Sequence, residues 1–73
     1  MRPSIPTWHR SNGEILSCTE KIKVMRENIE ELEQYIQDAF EDALLMDVDE
    51  RQFKNFLVQL VNNLQNPYKE KNV

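Results

Sequence analysis

The chain has one cysteine, Cys18, so no disulfide can form within it and no second thiolate exists for a zinc knuckle. One glycine and three prolines are too few for the repeated tight turns of an all-β fold. The single histidine, His9, lies near the start, so no later imidazole can join the carboxylates of a metal site. No run approaches the roughly 18 apolar residues of a membrane span, and Met-Arg-Pro-Ser-Ile-Pro lacks a signal-peptide core. These absences lead to the expectation of a small, soluble, acidic, cytoplasmic helical protein with no cofactor. Its 73 residues make one domain at most. A core this small supplies only about 3–5 kcal/mol, and disulfides cannot add to it. Self-association is the expected supplement.

What is present divides unevenly. Residues 1–16 hold Gly13, two of the prolines and the only tryptophan. Asn12-Gly13 is a strong turn signal, and Trp8-His9-Arg10 and Glu14-Ile15-Leu16 flank it as the arms of a tiny hairpin. Isolated two-stranded hairpins are marginal, so the expectation here is an irregular arm with an Asn-Gly turn.

From Ser17 the pattern becomes helical. Ser17-Cys-Thr-Glu20 fits a capping box, with Ser17 as N-cap. Cys18, Ile22, Met25, Ile29, Leu32, Ile36, Ala39, Ala43 and Met46 then recur at alternating steps of four and three. That is a heptad seam, and it predicts a helix over about 18–46, roughly 43 Å long. Asp47-Val48-Asp49 should break it. Asp49 is placed to cap a second helix over about 50–65, with Gln52 at the capping-box position and Val48 and Phe53 as a hydrophobic staple. Phe53, Leu57, Leu60 and Leu64 carry its seam, Asn66-Pro67 ends it, and 67–73 is expected to be a flexible tail.

A link this short makes the helices antiparallel neighbours, a helical hairpin over 17–66. Folding back pairs Phe53 with Ala43 and Met46, Phe56 and Leu57 with Ala39 and Phe40, Leu60 with Ile36, and Leu64 with Leu32. The shorter helix covers about half of the longer one. Ile22, Met25 and Ile29 are left over, and each is worth about 1.5–3 kcal/mol when buried. A second copy of the chain is the expected cover, with Ile5, Trp8, Ile15 and Leu16 of the arm sealing one edge. Phe40, Leu44, Leu45, Phe56 and Val61 widen the apolar surface further. Two hairpins would then form a four-helix bundle through Ile22, Met25, Ile29, Leu32 and Ile36.

Charge supports this independently. Residues 1–26 carry five basic and two acidic groups, 27–50 carry ten acidic and no basic ones, and 51–73 carry four basic and one acidic. Two long helices set antiparallel bring Lys21, Lys23 and Arg26 near the partner's Asp38, Glu41 and Asp42. A parallel pair stacks acid on acid, which repels. Exposed pairs contribute only about 0.2–1 kcal/mol each, so the pattern selects orientation more than it stabilises.

Several chemistries were weighed against this reading. Glu31, Asp38, Glu41 and Asp42 fall off the seam and read as a solvated face, without the Glu-x-x-His of a di-iron bundle. Asp47-Val-Asp-Glu50 lacks the glycine and spacing of a calcium loop. Cys18 in a first helical turn, where the dipole favours thiolate, is a candidate redox-sensing thiol with Arg10, His9 and Lys21 in reach. Trp8 and His9 read as local packing, with a small-molecule or peptide pocket as the alternative. Pro3-Ser-Ile-Pro6 matches a common proline pattern. Arg2, Arg10, Lys21, Lys23 and Arg26 form a modest basic end, the basis for weak nucleic-acid binding in an otherwise acidic chain. An acidic polar face argues against a membrane-surface helix.

Trp8-His9-Arg10, Gly13, Ser17 to Val24, Glu41 to Met46 and Asn66-Pro67-Tyr68 together resemble a group of small bacterial helical-hairpin proteins of unknown function. The resemblance implies a bacterial cytoplasmic protein and carries no catalytic chemistry. The sequence therefore predicts an all-α homodimer, a non-enzymatic interaction or regulatory protein whose acidic 27–50 face meets an unidentified basic protein.

Overall fold

The computed structural model describes residues 4–68. The proline pattern, the basic end and the tail extend beyond that range, so Pro3, Arg2 and residues 69–73 lie outside the described residues. Two helices are present, α1 over Thr19–Leu45 and α2 over Glu50–Asn62, and the described residues contain no strand. The fold is all-helical, a hairpin of one long and one short helix, and both predicted helices exist. The chain divides into two compact units, Met1–Gln37 and Asp38–Val73, with α1 running through the division.

In the first unit the arm closes on itself. Gly13 takes φ 91°, a left-handed conformation open to a residue without Cβ. Its N–H donates to the Arg10 carbonyl at 2.9 Å, the Arg10 N–H donates to Glu14 at 2.7 Å, and Leu16 N–H donates to Trp8 at 2.9 Å. His9 and Ile15 form an isolated antiparallel bridge. Asn12 fixes the loop twice: Oδ1 accepts the Glu14 N–H at 3.0 Å and Nδ2 donates to Glu14 Oε1 at 2.7 Å. The arm is thus a miniature hairpin with a three-residue loop, more ordered than the irregular segment expected.

That closure moves the start of α1. The first helical bond runs from Ile22 N–H to the Cys18 carbonyl at 3.0 Å, which makes Cys18, not Ser17, the cap position. Leu16 is held to Trp8, so Ser17 serves as the connection into the helix. No Ser17–Glu20 capping box forms among the described residues.

The second unit is organised by the reversal after α1. Val48 N–H reaches back to the Ala43 carbonyl at 2.9 Å and Asp47 N–H to Leu44 at 3.0 Å. This is a Schellman closure, and it requires Asp47 at φ 63°. Asp49 then caps α2 as its position predicts, its Oδ2 accepting the Gln52 N–H at 2.8 Å. Ala43 is the buried residue of this unit. Beside it Phe53 stacks on Phe40, ring centroids 5.9 Å apart and tilted by 40°. The Lys54 ammonium lies 5.3 Å from the Phe40 centroid and 3.0 Å from Glu50 Oε2. The seam opposes Phe40 to Phe56 and Leu57; its ring partner in the structure is Phe53, and Phe56 is exposed.

The far end of α2 also departs from expectation. The helix stops at Asn62, and Asn63 is its C-cap, with its N–H shared between the Gln59 and Leu60 carbonyls. Two successive asparagines weaken the helix there. Asn66, held extended by Pro67, accepts the Tyr68 N–H on its side chain at 2.8 Å.

Asp47 combines a left-handed backbone with a carboxylate beside the negative end of α1. Asp47→Gly removes both penalties and should raise stability by about 0.5–1 kcal/mol, while Asp47→Val should lower it by about 1–2 kcal/mol. Urea unfolding at one fixed protein concentration reads both; equal stability of the two variants would contradict the closure described.

Candidate functional site

The residues that sequence pattern assigned to self-contact all lie on α1, and the structure sorts them. Ile22, Met25 and Ile29 are half-buried. Leu32 is 52% exposed and Ile36 38%. Beyond residue 29 the covered stripe is Glu33, Phe40 and Ala43, while Ala39 and Met46 are exposed. The heptad reading assigns the inward positions to Leu32, Ala39 and Met46, so it is off by one residue there. A straight helix drifts about 20° per heptad against a 3.5-residue repeat, which moves the covered face from one flank to the next. Leu32, Ala39 and Met46 remain as a second, uncovered ridge.

The arm lies against the first turns of α1. Ile5, Trp8, Leu16, Ile22 and Arg26 line one hollow of about 250 Å³ in the first unit. Leu16 also meets Val24 and Met25 at an open apolar groove edged by Glu20 and Lys21. The expected role of the arm at one edge of this stripe therefore has a structural basis. Trp8 Nε1 is enclosed there and has no hydrogen-bond partner. Because that N–H is enclosed, nothing occupying the hollow reaches it directly, and its desolvation costs about 1–3 kcal/mol. Packing, not recognition, accounts for Trp8.

Cys18 is exposed at the cap of α1, outside the helical turn in which a thiolate would gain most from the dipole. His9 is exposed and tied through its backbone to Ile15. Among the described residues no three His, Cys, Asp or Glu side chains come together as a metal site. No helix among them is long and apolar enough to cross a membrane.

One feature of α2 escaped the sequence reading. Phe53 and Leu57 are half-buried, but Phe56, Val58, Leu60, Val61 and Leu64 are exposed. The signal was available: residues 55–68 contain no charged residue in a chain that is 30% charged. Family models, curated proteins and solved structures yield no match to this chain.

Two measurements test these assignments. Trp8→Phe removes the unpartnered N–H and keeps most of the ring, so it should change stability by less than about 1 kcal/mol, whereas Trp8→Ala should cost about 2 kcal/mol or more. Equal losses would mean that the N–H is satisfied. Cys18 should alkylate in the native protein within a few-fold of its rate in urea; a native rate many times faster would restore the redox-sensing reading.

Proposed function

We propose that this chain is a non-enzymatic interaction or regulatory protein that acts as a homodimer. The observation that carries the reading is the scarcity of burial. Among the described residues Ala43 is the one buried apolar side chain, while Leu32, Ile36, Leu45, Met46 and much of α2 face solvent. Covering a single such side chain contributes about 1.5–3 kcal/mol, comparable to the whole margin of a domain this size. A second copy that covers several of them supplies what one chain lacks.

In this proposal two hairpins form a four-helix bundle. The α1 helices meet antiparallel through Ile22, Met25, Ile29, Leu32 and Ile36. Lys21, Lys23 and Arg26, all exposed, then approach the partner's acidic stretch. The ten carboxylates of residues 27–50 also make a surface suited to a basic protein partner. A bacterial, cytoplasmic setting belongs to the same reading, through the resemblance noted above. Redox sensing by Cys18 and nucleic-acid binding through the basic end are weaker readings. Cys18 has no neighbouring group shown to activate it, and the basic residues adjoin a longer run of acid.

Light scattering after gel filtration across a hundredfold dilution should give about twice the 8.7 kDa chain mass. Crosslinks from position 21 should reach position 42 of the partner's chain. A monomer at every concentration removes the dimer, and 21-to-21 crosslinks remove the antiparallel arrangement.

A further inference from the structure

We infer that the exposed, uncharged face of α2 is a self-docking surface, with Leu60 near its centre meeting the Leu60 of a second copy across a twofold axis. This deepens the homodimer reading and rests on it. Three observations on α2 converge.

The first is exposure. Phe56 is 56% exposed, Leu60 50%, Val61 62% and Leu64 78%. Phe56, Leu60 and Leu64 follow one another at steps of four along the same side of the helix, and Val61 flanks them.

The second is charge. From Asn55 to Tyr68 the sequence has no acidic, basic or histidine side chain, and its polar groups are amides. Charge depletion of this kind marks the centre of protein interfaces. It also bears on which partner fits. An isologous contact places a surface against itself, so any net charge would repel its own copy. The α2 face meets itself without that repulsion, whereas the acidic 27–50 stretch does not. A strongly basic or acidic partner would find nothing on this face to pair with.

The third is area. Phe56, Val58, Leu60, Val61, Leu64 and Tyr68 together offer roughly 500–600 Å² of exposed side-chain surface. A standard interface takes about 800 Å² from each partner. The face therefore supplies most of what a stable contact needs, and the exposed ridge of α1 supplies the remainder. Antiparallel pairing about Leu60 sets Phe56 of one copy opposite Leu64 of the other, large ring against flexible branch.

The experiment compares the wild type with Leu60→Glu and Leu60→Lys, each by light scattering and helical circular dichroism. The wild type should be a dimer. Each variant alone should be a monomer with helical content retained, since like charges would meet at the axis. An equimolar mixture of the two should recover the dimer mass. If both variants remain dimeric while the wild type is a dimer, the α2 surface is wrong and the homodimer reading stands. If they are monomers that do not recover on mixing, Leu60 does not face itself and the inference fails. A monomeric wild type removes both. Should either variant lose its helical signal, Leu64→Glu and Leu64→Lys, at the most exposed position of the four, take their place: monomers with intact helices support the inference, and unchanged dimers refute it.

Discussion

The unequal length of the two helices constrains everything else in this protein. α1 has 27 residues and α2 has 13, roughly 40 Å against 20 Å. A helix stabilises itself in water mainly by burying one face, and a short partner cannot bury the whole face of a long one. The chain answers locally at each end. Near the start, the arm folds back through Gly13 and brings Leu16 and Trp8 to Ile22. Near the end, the Schellman closure at Asp47 and the Asp49 cap turn α2 so that Phe53 reaches Phe40. Each answer yields a small cluster, and neither yields a core.

That shortage gives the charge distribution its meaning. Carboxylates concentrated between residues 27 and 50 raise solubility along the very stretch where apolar ridges stay open. They also set a rule for association, because acid cannot be stacked on acid. The neutral stretch after Asn55 carries no such restriction. One chain thus holds a surface that constrains how copies approach and another that tolerates close contact. The first governs orientation over a Debye length of about 8 Å at physiological salt, and the second acts only once water is excluded.

Most of the secondary structure could be read from residues whose effect is local. Asp49 caps because a short carboxylate at that position reaches the Gln52 amide, and no tertiary contact is needed. The link at 46–49 was legible for the same reason. The start of α1 was not, since Ser17 is a better cap than Cys18 and loses that place only because Leu16 is bonded to Trp8. Nor was the end of α2, where Asn62-Asn63 acts before Pro67 can. The candidate surface was harder still. The heptad count placed Ile22, Met25 and Ile29 on the covered side, then missed that Phe40 and Glu33 replace Ala39 and Leu32. Three- and four-residue steps fit two adjacent flanks almost equally well over short spans, and only the neighbours a helix meets can choose between them.

Phe40 shows how that choice is made. An aromatic ring gains more from burial than an alanine does, so once α2 brings Phe53 within reach the ring pair takes the contact. Lys54 reinforces it from above, and its bond to Glu50 holds the ammonium in place. The cost of that selection falls on the opposite flank. Turning α1 so that Phe40 faces inward turns Leu32, Ala39 and Met46 outward, because residues of one helix cannot all share a face. The open ridge on α1 and the ring stack are therefore two consequences of one rotation. Any partner that covers the ridge draws on stability that the isolated chain has already forgone in favour of its own best local contact.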